Sequence, residues 1–371
     1  MEKKIVVAGH LCVDITPVFP EGKKKPIAEL LTPGKLLQMK PATVHTGGVV
    51  SNTGLALKKM GADVRLVGKV GDDAFGTMVR NMMKAHGADG DILIDPDDST
   101  SYTIALAPPG IDRIFLHNPG ANDSFDADDV PDELLEGASV LHFGYPPIMK
   151  KFYENGSGEL LKLFGRAKER GVMVSMDMTS VDPDSEAGKA DWEQILRDVL
   201  PYVDFFEPSV EELCYMLDRP RYEEWTARAA GRDVTEVLTL EDIHPLAQKT
   251  MDLGARVMLL KCGVSGMYYR TAPEDRMGSY AGAGLELGAW CRKEGFVKSF
   301  IPDRVRSGTG AGDTSIAAFL LAMLRGYPAE QCVRLAAAEG ASCVEEFDAL
   351  TGVRTLEELE QKIRSGWKQR D

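Results

Sequence analysis

The stretch Ser-Gly-Thr-Gly-Ala-Gly-Asp-Thr at residues 307–314 runs directly into the apolar segment Ser-Ile-Ala-Ala-Phe-Leu-Leu-Ala-Met-Leu at residues 315–324. This order predicts a glycine-rich turn that opens a helix. The glycines allow a ligand to approach the backbone closely, and the first N–H groups of a helix have no intrahelical partner. With the positive end of the helix dipole, they predict an anion site, such as a phosphate site. Apolar residues spaced i, i+3, i+4 and i+7 predict a single buried face: Ile316, Phe319, Leu320 and Met323.

Asp313 stands at the start of this helix, where a bound phosphate would repel its carboxylate. The position makes chemical sense if Asp313 accepts a proton from a hydroxyl group that attacks the phosphate. The alternative is a helix cap, which is a frequent use of aspartate. From these residues alone both interpretations stay open.

Two other glycine-rich motifs fit the stretch less well. A dinucleotide-binding fingerprint would need a final spaced glycine and an acidic residue on a strand about 20 residues later, and neither is present. A Walker loop would need Gly-Lys-Ser/Thr, which occurs nowhere in the chain. The glycine spacing therefore disfavours a dinucleotide oxidoreductase and a P-loop enzyme.

Composition excludes several broad classes of protein. The chain has 371 residues, 44% of them hydrophobic, and a formal net charge of −14, which argues against nucleic acid or an anionic membrane as a partner. No apolar run approaches the roughly 20 residues of a membrane span, and the N-terminus does not resemble a signal peptide. Neither the six cysteines nor the six histidines show metal-ligand spacing. We expect a soluble, cytoplasmic protein with reduced thiols.

Apolar strands alternate with helical segments along most of the chain. Strands are predicted at 5–8, 64–68, 140–143, 172–176, 202–206 and 257–260, with helices at 51–60 and 76–85. This alternation predicts a doubly wound, mainly parallel sheet within one α/β domain over residues 1–371. Residues 16–45 and 100–118 read as β excursions, and the charged segment 218–245 reads as a solvated helical insertion.

Ligands of such sheets collect at the carboxyl ends of the strands. Asp14 lies just past the first predicted strand, and Gly47-Gly48 leads to Asn52 at a helix entry. A carboxylate and an amide at one crevice suit a ligand with many hydroxyl groups. Taken singly, Asp14 reads better as a turn residue and Asn52 as a helix cap, and only together with the glycine-rich anion site do they favour a ligand site.

Three motifs, in this order along the chain, resemble signatures of the ribokinase-like (PfkB-type) carbohydrate kinase family. The family's early Gly-x-x-x-x-Asp resembles Gly9 to Asp14. Its N-terminal signature resembles residues 47–52 followed by 68–76, and its C-terminal signature Asp-Thr-x-Gly-Ala-Gly-Asp resembles residues 307–313. The resemblance extends from residue 4 to about residue 355. It implies a three-layer α/β/α fold with a small β-lid, formed here by the two excursions.

The resemblance also implies ATP- and Mg²⁺-dependent phosphorylation of a hydroxyl on a sugar or related polyol. Asp313 would be the general base, and the N–H groups of Gly310, Ala311 and Gly312 would stabilise charge on the phosphoryl group. Glu212 would support Mg²⁺ through water. The expected substrate-binding residues are Asp14, Gly48, Asn52 and Asn118, with His117 as a neighbouring candidate. The expected nucleotide-binding residues are Gly263, Gly266, Thr309, Gly310 and Gly312.

Three positions depart from the family pattern. Ser307 replaces the leading aspartate of the C-terminal signature, which leaves the use of a monovalent cation open. Ser209 replaces the asparagine that precedes the magnesium-supporting glutamate. Asp177-Met178-Thr179 lacks the asparagine and arginine that several relatives carry, which argues against an acidic sugar. A nucleoside kinase and a non-catalytic sugar-binding relative remain alternatives, and a homodimer through the lid is plausible.

Overall fold

The computed structural model describes residues 3–20, 26–109, 114–277 and 285–370. Within these ranges a nine-stranded sheet has the order β13-β12-β11-β10-β9-β8-β1-β4-β5, and a four-stranded sheet has the order β3-β2-β6-β7. The strands are β1 (Lys4–Gly9), β2 (Cys12–Val18), β3 (Lys40–Gly47), β4 (Val64–Gly71), β5 (Asp91–Asp95), β6 (Tyr102–Leu106), β7 (Ile114–Asn118), β8 (Ala138–Gly144), β9 (Met173–Asp177), β10 (Phe205–Phe206), β11 (Val257–Cys262), β12 (Gly266–Thr271) and β13 (Glu294–Lys298).

Helices cover the large sheet. They are α1 (Ile27–Leu30), α2 (Val49–Lys59), α3 (Ala74–Ala85), α4 (Asp132–Leu135), α5 (Gly158–Glu169), α6 (Glu186–Lys189), α7 (Trp192–Val199), α8 (Val210–Leu217), α9 (Arg219–Ala229), α10 (Leu240–Asp252), α11 (Glu274–Met277), α12 (Leu287–Trp290), α13 (Ala311–Leu324), α14 (Ala329–Cys343) and α15 (Leu356–Arg364). None of the helices in the described ranges is long and apolar enough to cross a membrane.

The large sheet is mainly parallel, as the alternation of elements predicts. Neighbouring strands from β5 through to β11 all pair in parallel, and only the last two pairings, β11 with β12 and β12 with β13, are antiparallel. Ile5 to Ala8 in the central strand β1 are fully buried. Continuous apolar runs of this kind are typical of parallel strands covered on both faces.

The direction in which successive strands are added to the sheet reverses between β1 and β8. After β1 the sheet grows through β4 and β5 on one side, and it then resumes with β8 on the other side of β1. Such a topological switch point opens a crevice at the carboxyl ends of the two strands. Here those ends are Gly9 and Gly144, which stand opposite each other in the register.

The prediction that helix α13 has a single buried face is wrong. Every residue from Asp313 to Leu324 is buried, because α13 packs against both α2 and α14. The serine and alanine residues between the large apolar ones are small enough to be covered on the other faces, so apolar spacing alone could not reveal their burial.

The strand predicted at 202–206 is shorter than expected. Only Phe205–Phe206 pair as strand β10, while Leu200–Tyr202 form a short 3₁₀ turn. Pro201 lacks an N–H group and has a fixed φ, which favours a turn over a strand at this point. Helix α2 also begins two residues before the predicted start at residue 51.

Both predicted excursions contribute strands to the four-stranded sheet. Strands β2 and β3 come from the first and strands β6 and β7 from the second. Residues 21–25 and 110–113 of these excursions lie outside the described residues. The segment 218–245 contains α9 and the start of α10, and it buries Trp225 and Ile243.

Substitution of Gly9 would test how tightly the switch point is packed. Its φ is +129°, and a Cβ atom there would lie 2.4 Å from the carbonyl oxygen of Gly144. We expect Gly9→Ala to lower the free energy of unfolding by about 1–3 kcal/mol, since the alanine is both strained and crowded. Chemical denaturation would measure this.

The matched control is Gly165→Ala within helix α5, where a Cβ atom meets nothing within 4 Å. This variant should gain about 0.5–1 kcal/mol, because alanine is the better helix residue. Equal stability of both variants would contradict the proposed close packing at Gly9.

Candidate active site

The switch point places two aromatic residues side by side. His10 follows β1 and Tyr145 follows β8, and their ring centroids lie 6.0 Å apart. His10 is 2% exposed. Burial, with a further contribution from His117, lowers the pKa of His10 well below its ordinary value, so its ring is neutral. The crevice therefore begins with two uncharged rings at its base.

The glycine-rich turn brings Asp313 into this crevice. Gly310 has a φ of +76° and precedes the first residue of α13, and a Cβ atom on it would lie 2.2 Å from the Cβ of Ala349. No side chain caps the start of α13. The helix-cap interpretation of Asp313 is therefore wrong. Asp313 is only 5% exposed, and its carboxylate bonds to side chains from other elements.

The Asp313 carboxylate is held on both oxygens. The Asn52 amide donates to Oδ2 at 3.0 Å, and the Tyr145 hydroxyl donates to Oδ1 at 2.6 Å. The Thr53 hydroxyl lies 3.4 Å from Oδ1 and 3.3 Å from the main-chain oxygen of Asp313. These donors compensate for the burial of a charged group. Sequence reasoning found Asn52 but missed Thr53 and Tyr145.

A lysine side chain lies beside the helix start. The Lys261 ammonium is 2.6 Å from Oδ1 of Asp177, and a Cβ atom on Gly312 would be 3.5 Å from the same ammonium. Burial alone would lower the pKa of Lys261, but the carboxylates of Asp177, Glu212 and Asp313 raise it to about 12. The anion site predicted at the turn thus has a permanent positive charge next to it.

Asp177 is the buried partner of this lysine. It is 1% exposed, and its Oδ2 has no hydrogen-bond partner within the described part of the chain. Burial raises the pKa of Asp177, while the Lys261 ammonium opposes that change. The ion pair therefore limits the cost of burying Asp177.

Glu212 makes a reciprocal cap with Ser209 at the start of α8. Its Oε2 accepts the N–H of Ser209 at 2.7 Å, and the Ser209 hydroxyl accepts the N–H of Glu212 at 3.2 Å. No cluster of three metal-ligating side chains occurs among the described residues. This geometry suits a Mg²⁺ ion that keeps its waters and binds mainly to nucleotide phosphates. Glu212 as its water-mediated partner stays a prediction.

Asp14 on strand β2 lies near Asp313, and Gly48 lies against His10 at the start of α2. Burial raises the pKa of Asp14; the Cys12 thiol, 3.3 Å from its Oδ1, counteracts that change, and the Asp313 carboxylate raises the pKa further. Gly48 has a φ of +86°, and a Cβ atom on it would lie 2.4 Å from the carbonyl oxygen of His10. Asp14 and Asn52 thus lie near Asp313, and the role of Asp14, Gly48 and Asn52 in binding a substrate stays a prediction.

The register of the four-stranded sheet separates His117 from Asn118. Asp14 pairs with Thr103, and Thr103 pairs with His117, so these side chains share one face of the sheet. The Thr103 hydroxyl lies 3.1 Å from Nδ1 of His117. Asn118 points to the other face, where its amide lies 3.5 Å from the Ser99 hydroxyl. His117, and not Asn118, lies with Asp14.

A cavity of about 380 Å³ extends from Lys261 along the start of α13. Gly263 and Gly266 lie on one of its sides with φ values of +50° and +133°. Thr309 does not line it, and its N–H instead donates to the Ser307 hydroxyl at 3.1 Å. Small or apolar residues form most of the other walls, among them Val264, Phe300, Val305, Ala337, Gly340 and Ala341, and the charged side chains of Asp233 and Arg370 also line it. A larger groove of about 620 Å³, between Tyr269 and Arg334, contains none of the predicted site residues.

Substitutions in the ion pair of Lys261 and Asp177 would separate its effect on stability from its effect on activity. We expect Lys261→Met to lower the free energy of unfolding by about 3 kcal/mol at pH 9, because it leaves the Asp177 carboxylate buried and unpaired. A carboxyl group whose pKa is raised on folding binds its proton more tightly in the folded state, so its contribution to stability falls as the pH rises. The decrease in the free energy of unfolding caused by Lys261→Met should therefore be smaller at pH 6 than at pH 9. Chemical denaturation at both pH values would measure it.

The double variant Lys261→Met/Asp177→Asn serves as the control, since it removes both charges. It should recover most of the lost stability while turnover stays low. Full recovery of turnover in the double variant would mean that Lys261 has no role beside the anion site.

The sequence of this chain is similar to those of known proteins over most of its length. The model of the pfkB family of carbohydrate kinases matches residues 2–356. An uncharacterized sugar kinase of Archaeoglobus fulgidus is 23% identical over 302 residues, which cover 81% of this chain and 98% of that protein. The 2-dehydro-3-deoxygluconokinase of Thermoproteus tenax is 25% identical over 345 residues, 90% of this chain and 92% of that protein.

Solved structures share the fold. Arabidopsis thaliana ribokinase, complexed with ribose and ATP, superposes with a TM-score of 0.69 at 20% identity, covering 97% of this chain and 98% of that one. The nucleoside kinase of Methanocaldococcus jannaschii gives 0.65 at 18% identity, covering 98% and 99%. These likenesses confirm the predicted ribokinase-like fold. With the family model matching almost the whole chain, the protein belongs to the pfkB family of carbohydrate kinases.

Proposed function

We propose that the protein transfers the γ-phosphoryl group of ATP to a hydroxyl of an uncharged sugar or related polyol, with Asp313 as the general base. The observation that carries this proposal is the Asp313 carboxylate itself. It is buried, it does not cap its helix, and it interacts electrostatically with both the Asp14 carboxylate and the Lys261 ammonium. Sugar kinases among the relatives, including plant fructokinases, support the same reaction class.

The reaction follows from the positions of these groups. Asp14, Gly48 and Asn52 would hold the acceptor so that one hydroxyl meets Asp313. Asp313 takes the proton of that hydroxyl, the oxygen forms a bond to the γ-phosphorus, and the bond to ADP breaks with its electron pair on ADP. The N–H groups of Gly310, Ala311 and Gly312, with the Lys261 ammonium, would stabilise the charge on the transferring group. Mg²⁺ bound to the nucleotide would neutralise phosphate charge, with Glu212 as its water-mediated partner.

The nucleotide would occupy the cavity that begins at Lys261. Gly263 and Gly266 would let the nucleotide approach the strand ends closely, and Ala337, Gly340 and Ala341 would leave room for a flat base. Thr309 would act by holding the glycine turn through Ser307, since it does not line the cavity.

An uncharged acceptor fits the charges around Asp14. The side chains that pair with Asp14 across this face of the sheet are the His45 ring on β3 and the Thr103 hydroxyl on β6, with the His117 ring next to Thr103, and none of them is a lysine or arginine. An acidic sugar would bring a second negative charge to this surface without a matching cation. The sugar acid named for the Thermoproteus tenax relative is therefore a poor model for the acceptor here.

We also infer that the four-stranded sheet acts as a lid over the acceptor and belongs to a single kinase domain. A lid would exclude water, which would otherwise compete with the acceptor for the phosphoryl group. Phe115 and Leu116 on its edge strand β7 are 55% and 50% exposed, which suits pairing of two subunits through the lid. The six free cysteines fit a cytoplasmic location.

The role of Asp313 gives the first test of this function. Asp313→Asn should bind ATP as the wild type does but lower kcat by the ~10²–10⁴-fold expected for loss of a general base. A coupled ADP-release assay and calorimetric ATP titration would measure the two effects. Asp252→Asn, an exposed carboxylate on α10, is the matched control and should keep full turnover. Near-wild-type turnover of Asp313→Asn would refute the assignment.

The acceptor class is tested with a panel of substrates. ADP release should occur with a neutral monosaccharide or polyol, and it should be weak with sugar acids and sugar phosphates of the same carbon number. Turnover with nucleosides alone would instead favour a nucleoside kinase. If a folded protein that binds ATP released no ADP with any member of the panel, a non-catalytic sugar-binding protein would be favoured.

A further inference from the structure

Tyr145 has a backbone conformation that is unusual for its residue type. Its φ of 72° and ψ of 43° are left-handed, directly after Gly144 at the end of β8. This region costs a residue with a Cβ atom roughly 1–2 kcal/mol relative to a right-handed conformation. Glycine would adopt it without that cost. Strain of this kind persists where the surrounding structure requires a particular side chain at that position.

The Tyr145 side chain reaches across the switch point to Asp313. Its hydroxyl donates to Oδ1 at 2.6 Å, while Asn52 donates to Oδ2 at 3.0 Å. Donors on both oxygens prevent the carboxylate from rotating freely. Burial, followed by the nearby carboxylates of Asp313 and Asp177, raises the pKa of Tyr145 well above its ordinary value. The phenol therefore stays protonated and can only donate to Asp313.

The hydrogen bonds leave room for one incoming hydroxyl. An ionised carboxylate has about four acceptor positions on its two oxygens. Tyr145, Asn52 and the longer contact from Thr53 occupy three of them. A reacting hydroxyl can therefore bond to the remaining position without displacing a protein donor.

We propose that Tyr145 is a positioning residue that fixes the orientation of the Asp313 carboxylate and stabilises its charged form for proton transfer. This inference rests on the proposed function of Asp313 as the base. It assigns to Tyr145 a role through Asp313 and not through contact with the acceptor or the nucleotide.

The charges around Asp313 explain why such a donor matters. The carboxylates of Asp14 on β2 and Asp177 on β9 interact with it electrostatically, and Glu212 on α8 acts together with Asp177 and Asp313 on Lys261 and Tyr145. The Lys261 ammonium on β11 opposes these negative charges. On α14, burial raises the pKa of the Cys343 thiol to about 12, so that thiol is neutral. The Tyr145 hydroxyl therefore gives a hydrogen-bond donor to a carboxylate that has other carboxylates near it.

The test is Tyr145→Phe, which keeps the ring and removes only the donor. We expect kcat to fall by about 10- to 100-fold, as for a lost hydrogen bond to a charged group. The KM values for acceptor and ATP should change by less than about twofold. A fall in kcat without a matching rise in either KM separates positioning of the base from contact with a substrate.

The matched control is Tyr153→Phe, a partly buried tyrosine that packs against Trp192. It should leave kcat unchanged. An unchanged kcat in Tyr145→Phe would overturn the proposal, since the ring would then only pack. A rise in acceptor KM with an unchanged kcat would also overturn it, because Tyr145 would then contact the acceptor.

A double variant separates this inference from the proposed function. In the Asp313→Asn background, adding Tyr145→Phe should change kcat by less than about twofold, because the group that Tyr145 positions is already gone. A further 10-fold loss there would show that Tyr145 acts independently of Asp313. If Asp313→Asn alone kept full turnover, the proposed function would fail whatever Tyr145 does.

Discussion

The buried carboxylate of Asp313 is the constraint on which the rest of the site depends. An ionised carboxylate can be buried only if donors or opposite charges surround it. The donors come from distant parts of the chain: Asn52 and Thr53 at the start of α2, and Tyr145 at the end of β8. Gly310 makes the start of α13 possible, because only a residue without a Cβ atom fits against Ala349. The switch point between β1 and β8 is where these elements meet.

The site also explains how a protein with a net charge of −14 can receive a polyanionic nucleotide. Attraction over the whole surface is not available, so the charge must be met locally. The first N–H groups of α13 and the Lys261 ammonium lie at the same place. Asp177 holds this ammonium at 2.6 Å. In the proposed function the nucleotide phosphates would meet this ammonium, whereas the acceptor would meet the Asp14 carboxylate, which has no lysine or arginine among its paired neighbours in the sheet.

Local patterns allowed much of the fold and of the site to be predicted. The glycine turn at 307–313, the helix entry at 47–52 and the alternation of strands and helices depend on residues close in sequence. The capping box of Ser209 and Glu212 has a local Ser-x-x-Glu pattern but was not predicted, and it explains part of the role of Glu212 without a metal.

Features that depend on distant residues were not predictable in this way. Tyr145 and Asp313 are 168 residues apart, and nothing local marks the tyrosine except its place after a strand. The separation of His117 from Asn118 depends on the register of β7 against β6, which pairing across the sheet determines. The burial of all faces of α13 depends on α2 and α14, and not on its own apolar spacing.

The most direct test of the central claim is the single-turnover rate of phosphoryl transfer to the acceptor, measured by rapid quench with ATP, Mg²⁺ and acceptor saturating. In Asp313→Asn this rate should fall by the ~10²–10⁴-fold expected for loss of a general base, because the attacking hydroxyl then has no carboxylate to accept its proton. Measuring the chemical step itself separates this loss from any change in product release. A single-turnover rate near that of the wild type in Asp313→Asn would show that another group takes the proton and would contradict the account.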